Sequence, residues 1–176
     1  MELKSTSNHY GTVAVSIHWI SAILIIALIG SGFRAAATVD FEAKAAILRA
    51  HLPIAVTVLC LTAFRIVWWW RMDRKPHPVA NAPRWQRRAA RASHLLFYVT
   101  ILGMITSGIG MMMLSGAAPV IFGQQYAVLP DFWKLPPRLP HAIGARFLVA
   151  LLVLHVGAAL HHHFVRRDKL LQRMWF

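Results

Sequence analysis

A single cysteine, Cys60, stands among 176 residues. That leaves no internal disulfide, and it excludes iron–sulfur clusters and structural zinc sites built on several thiolates. Charge is scarce too, since only 14% of residues are Asp, Glu, Lys or Arg, against roughly 25% in a soluble domain. Acidic side chains are the rarest part of it, six against 19 Lys and Arg, for a net charge of +13. The chain has no nucleotide-binding Gly-rich loop, no flavin fingerprint and no low-complexity tract, and the apolar segments leave no room for a soluble catalytic domain. Period-two polarity is also missing, which excludes the strands of a membrane barrel.

Apolar sequence fills the space those absences leave. Hydrophobic residues make up 57% of the chain and the mean hydropathy is +0.52. Four stretches, residues 16–34, 47–70, 92–114 and 141–165, are each near the ~20 residues a helix needs to cross ~30 Å of hydrocarbon. The reading is an all-α membrane protein, a four-transmembrane-helix bundle forming one integral-membrane domain over 1–176. The first span is too long for a removable signal peptide and has only Lys4 before it. Proline-bearing breaks separate the spans: Pro76, Pro78 and Pro83 in the second connection, and Pro119, Pro130, Pro136, Pro137 and Pro140 in the third.

Basic residues orient the bundle. Lys4, the second connection (Arg65, Arg71, Arg74, Lys75, Arg84, Arg87, Arg88, Arg91) and the tail (Arg166, Arg167, Lys169, Arg173) hold 13 of the 19 Lys and Arg. Arg34, Lys44, Arg49, Lys134, Arg138 and Arg146 lie on the other side. The positive-inside rule then places both termini in the cytoplasm of a cell whose inner membrane the chain crosses. The net charge is a topology signal and an attraction to anionic lipid, and no motif supports nucleic-acid binding.

Histidines give the bundle a chemistry. His141 and His155 are 14 positions apart on one apolar stretch, about 21 Å of rise and only ~40° short of four turns, so both imidazoles face one side of a helix. By depth, His18 matches His155 on the cytoplasmic side, and His51 matches His141 on the periplasmic side. Buried ionisable groups in a membrane are costly and face a bundle interior with a partner. Four at two matched levels suit two b-type haems: His18 and His155 on the inner iron, His51 and His141 on the outer iron. Interhelical hydrogen bonding by histidines is the competing account.

The same offset leads from His18 to Gly32, from His51 to Arg65 and from His94 to Gly108. Glycine at ligand depth gives a macrocycle room to approach the backbone, and Gly103, Ser107 and Gly110 extend the small-residue run on the third span. Arg65 and Arg146 sit inside apolar sequence, where an arginine needs an anion such as a haem propionate; snorkelling to the interface is the rival explanation. His94 lies at inner-haem depth without an iron to bind, which makes it the candidate for a quinone site, or a histidine bonded to a neighbouring helix. His161, His162 and His163 point in three directions, make a poor chelate for a metal-handling protein, and read as the wet end of the fourth span.

Several segments carry a resemblance. Ser16-Ile17-His18-Trp19, His51, Trp85-Gln86, Ala92-Ser93-His94 with Leu95 to Tyr98, His141, His155 through His162, and Asp168-Lys169-Leu170-Leu171-Gln172-Arg173-Met174 follow in an order and spacing that resembles the bacterial cytochrome b561 family of small di-haem membrane proteins. In that family the residues matching His18, His51, His141 and His155 are the axial ligands. Pro53 departs from the pattern, and is tolerable if the membrane helix starts near it.

The resemblance implies an oxidoreductase-type electron carrier. Bis-histidine ligation fills both axial positions, so electrons move but ligands do not bind at iron. Ubiquinone is the natural membrane acceptor, and similar proteins include a superoxide oxidase that passes electrons from superoxide to ubiquinone. Lys44, Arg49, Lys134, Arg138 and Arg146 outnumber Asp40, Glu42 and Asp131 on the outer side, which suits attraction of a small anion, or of propionates and lipid phosphate. The alternative is a haem-b anchor subunit that relays electrons from a dehydrogenase or hydrogenase partner protein to quinone.

Overall fold

Four long helices account for most of the chain, and the computed structural model describes residues 2–77, 83–123 and 128–175. The centre of the second connection, with Pro78, lies outside the described residues. Helix α1 spans Thr12–Ala37, α2 Phe41–Val67, α3 Arg84–Ser115 and α5 Arg138–His161, with a one-turn α4 at Ala118–Ile121. The second helix of each hairpin runs on into a wider five-residue turn, Trp68–Met72 after α2 and His162–Arg166 after α5. Among the described residues there is no strand, and all four long helices are long and apolar enough to cross a membrane.

Local chemistry explains the helix ends. Asp40 caps α2 by accepting the Ala43 amide at 2.8 Å, and Glu42 lies in the positive first turn. Gly116 ends α3 in the left-handed region at φ 61° and donates its amide to the Met112 carbonyl at 3.1 Å. Pro140 falls in the first turn of α5, where an amide would have no helical acceptor.

Counting the turns that continue α2 and α5, every helix outruns its apolar stretch. α3 begins at Arg84 instead of residue 92, so Arg84, Arg87, Arg88 and Arg91 line one exposed face of its first two turns. Pro53 also differs from the sequence reading, because α2 starts at Phe41 and passes through Pro53 without stopping. The Arg49 carbonyl loses its helical amide there, a deletion the flanking turns of a long apolar helix can carry.

The helices form two hairpins. α1 packs along α2 and α3 along α5, while contacts between the hairpins are sparse. Val58, Ile101 and Leu148 are buried at mid-depth, packed with Leu24, Ile25, Leu28, Ile29, Phe97 and Ile105. Ile20, Ile23 and Ile26 on α1 and Val153 and Leu154 on α5 point outward, an exterior suited to lipid rather than water. Both tails and the segment after α2 meet at one end of the bundle, where Arg173 donates to the carbonyls of Asn8 at 2.7 Å and His77 at 2.8 Å.

Candidate functional site

Two layers of polar side chains lie above and below the apolar plug. At the end that carries the tails, the His18 and His155 rings are 6.2 Å apart centre to centre, and the His94 ring is 6.0 Å from His155. Phe97 presses edge-on against His155 at 5.4 Å. Arg65 is the charged neighbour common to His18, His94 and His155. Among the described residues no carboxylate lies within ion-pair distance of it.

The opposite layer holds His51 and His141, each seated the same way. His51 Nδ1 is 2.9 Å from Ser31 Oγ, and His141 Nδ1 is 2.9 Å from Ser107 Oγ. The next residue on each serine's helix is a glycine beneath the ring. A Cβ built on Gly32 would meet His51 Cε1 at 3.4 Å, and one on Gly108 would meet His141 Cε1 at 3.5 Å.

The two hairpins thus repeat one pattern. α1 carries His18 and Ser31-Gly32, and α3 carries His94 and Ser107-Gly108, with 13 and 14 positions between them in both cases. α2 pairs His51 with Arg65 as α5 pairs His141 with His155. Ile25, Val58, Ile101 and Leu148 fall seven positions from each layer on their own helices, so about 10 Å of helix rise separates the plug from either side.

Spacing alone allows His155 to share a metal with His18 or His94. The two pairs differ in packing. His94 and His155 sit on helices that pack directly together, whereas His18 and His155 belong to different hairpins, between which contacts are sparse. His51 and His141 also belong to different hairpins.

The family model described as prokaryotic cytochrome b561 matches residues 9–176. The chain belongs to the prokaryotic cytochrome b561 family. It is 26% identical to cytochrome b561 homolog 2 of Escherichia coli K12 over 190 aligned positions, covering 99% of this chain and 95% of that one. With cytochrome b561 homolog 1 of the same organism the identity is 27%, over 95% of this chain and 97% of the relative. A cytochrome b561 is a multi-pass inner-membrane protein that transfers electrons with b-type haem.

The residues present fit that group. Ser31 Oγ donates to the Ala27 carbonyl at 2.7 Å, and Ser107 Oγ to the Met104 carbonyl at 2.8 Å. With its proton committed, each hydroxyl accepts from the histidine. The 3.1 Å approach of His141 Nδ1 to the Met104 carbonyl fixes the same direction, because a carbonyl only accepts. Both rings therefore carry the proton on Nδ1 and turn an unprotonated Nε2 lone pair away from the serine, as a metal-binding imidazole requires.

Other sequence candidates are placed differently. Arg146 is exposed and folds back on its own helix, donating to the Ala142 carbonyl at 2.9 Å. Gly110 packs against Pro137, while Gly103 has nothing within 4 Å of a Cβ. His162 is more than the wet end of α5. It is bonded through Nδ1 to Asp168, and its Nε2 accepts from Gln86 Nε2 at 2.8 Å. Gln86 Oε1 is buried with no partner among the described residues. Arg167 and Lys169, at φ 54° and 58°, turn the chain so that Asp168 returns to His162. Histidine next to a basic tail gave no signal of this in sequence.

Proposed function

We propose that the chain is a di-haem cytochrome that carries electrons inward across the membrane, from superoxide at the periplasmic face to ubiquinone near the cytoplasmic face. His18 and His155 would hold the inner haem, and His51 and His141 the outer one. Haem held there would supply reversible one-electron transfer. The observation that carries the reading is the pair of polar layers on opposite sides of a four-residue plug, with imidazoles drawn from different hairpins in each layer.

The chain's own groups provide the rest. Arg65, without a carboxylate partner among the described residues, is available to an inner propionate. On the outer side Arg146 donates to its own helix at the Ala142 carbonyl and has Arg138 as its charged neighbour. On the outer face Asp40 and Asp131 spend their side chains on the amides of Ala43 and Trp133. Lys134 is exposed and Arg138 lies 4.1 Å over the Trp133 ring. The surplus positive charge favours an anion.

Two superoxide ions each give up one electron and leave as dioxygen, while ubiquinone takes two electrons and two protons. The inner layer offers groups for that proton uptake. His94, beside His155, presents a ring nitrogen to a quinone oxygen. His162, hydrogen-bonded through Nδ1 to Asp168, lies at the same end of the bundle. Anaerobic mixing of the purified protein with a superoxide source and a ubiquinone analogue, followed at the haem absorbance, tests the proposal. Rapid haem reduction followed by reoxidation by the quinone is the expected result. Reduction that occurs only with a co-purifying protein would instead make the chain an anchor subunit.

A further inference from the structure

We infer that Ser31 and Ser107 are positioning residues that hold the outer histidines for metal binding and lower the reduction potential of the outer haem relative to the inner one. The inference rests on the assignment of His51 and His141 as outer ligands. Each serine hydroxyl is pinned to a carbonyl of its own helix, Ala27 for Ser31 and Met104 for Ser107. Each can then only accept from the imidazole Nδ1 at 2.9 Å. An imidazole that donates from Nδ1 is a richer electron donor at Nε2, and a richer donor favours the ferric state.

The inner layer lacks this device. Among the described residues, no hydrogen bond reaches a ring nitrogen of His18 or His155. Their common neighbour is instead the Arg65 guanidinium, and a nearby cation favours the ferrous state. Both effects have the same consequence. Electrons fall from the outer haem to the inner one, so the fold itself sets the direction of transfer.

The two seats are not equal. His141 Nδ1 also reaches the Met104 carbonyl at 3.1 Å, whereas His51 has Ser31 alone. Removing Ser31 therefore exposes a bare Nδ1–H, while removing Ser107 leaves a second acceptor in place.

The test is an equilibrium redox titration of the purified holoprotein with low-spin ferric electron paramagnetic resonance, on the wild type, Ser31→Ala, Ser107→Ala, Ser31→Thr and His51→Ala. His51→Ala identifies the outer component as the one it removes. In Ser31→Ala that component shifts to higher potential with altered g values while the inner one stays put. Ser107→Ala shifts it less, and Ser31→Thr, which keeps the hydroxyl, returns it toward wild type. Loss of the outer haem in Ser31→Ala that Ser31→Thr restores supports the same role. An unmoved outer component in both alanine variants, or a haem loss that Ser31→Thr does not restore, overturns the inference. Two haems retained in His51→Ala is a different pattern, and it would overturn the ligand assignment beneath it.

Discussion

The Trp19 indole donates to the Met174 carbonyl at 2.8 Å, so the neighbour of His18 is latched to a segment 155 positions away in the chain. The Trp175 ring meets Trp19 edge-on at 5.6 Å. The C-terminal turn is thereby tied to the helix that supplies one inner histidine. Trp19→Phe deletes the hydrogen bond and keeps most of the aromatic contact, at a cost of about 1 kcal/mol. Hydrogen exchange should speed up over residues 171–175 and at the first turns of α1. Unchanged exchange there would show that the tail is held by Arg173 alone.

Asp73 gathers the same end of the bundle from another side. Burial works against its charge, but the Ser5 hydroxyl and amide, the Arg74 amide and the Trp68 indole all donate to it, and together they hold the carboxyl below its ordinary value. A carboxylate with a depressed native pKa contributes its stability fully above the unfolded value of about 4, and loses it as pH falls through the native one. Protection of the Ser5 amide, measured against its intrinsic exchange rate, should therefore fall below about pH 4 in the wild type. In Asp73→Asn it should already be low at neutral pH, with no acid step.

Arg65 is expected to raise the potential of the inner haem. Arg65→Gln removes a cation beside His18 and His155 and should lower that potential by on the order of 1 kcal/mol per electron, with the outer component unaffected. A redox titration reads both at once. An inner component that stays put, or that moves no more than the outer one, would contradict that role.

Much of this arrangement was readable from sequence, and the unreadable parts share a cause. Apolar runs with few charges located the four helices because lipid admits little else, and the 14-residue offset put His141 and His155 at two depths of one helix. Helix ends escaped notice because Thr12, Lys44, Arg84, Arg87, Arg88 and Arg91 are polar residues on turns beyond the hydrocarbon, where hydropathy carries no signal. Pro53 misled for a local reason, since a long apolar helix survives one missing amide. Ser31 stayed hidden and Ser107 passed for one of a run of small residues, because serine is common in packed membrane helices. They acquire meaning only once α1 is known to lie on α2 and α3 on α5. His162 depended on a tail that turns back through two non-glycine residues of positive φ.

Superoxide delivery, if steered by charge, is sensitive to salt. Lys134→Glu with Arg138→Glu should slow haem reduction by superoxide by about tenfold, leave reduction by quinol unchanged, and remove most of the ionic-strength dependence over a Debye length of about 8 Å. Stopped-flow reduction at several salt concentrations checks this. Equal slowing of both half-reactions would point to damaged haem binding instead.

The central claim is that four histidines in two layers hold two haems, and the haem-to-protein ratio tests it most directly. Purified wild type should contain two haems per chain. His51→Ala and His141→Ala should each keep one haem with the inner spectrum, and His18→Ala and His155→Ala one with the outer spectrum, because the layers are about 21 Å apart on rigid helices. A ratio of two in all four variants, or of one in the wild type, would contradict the account.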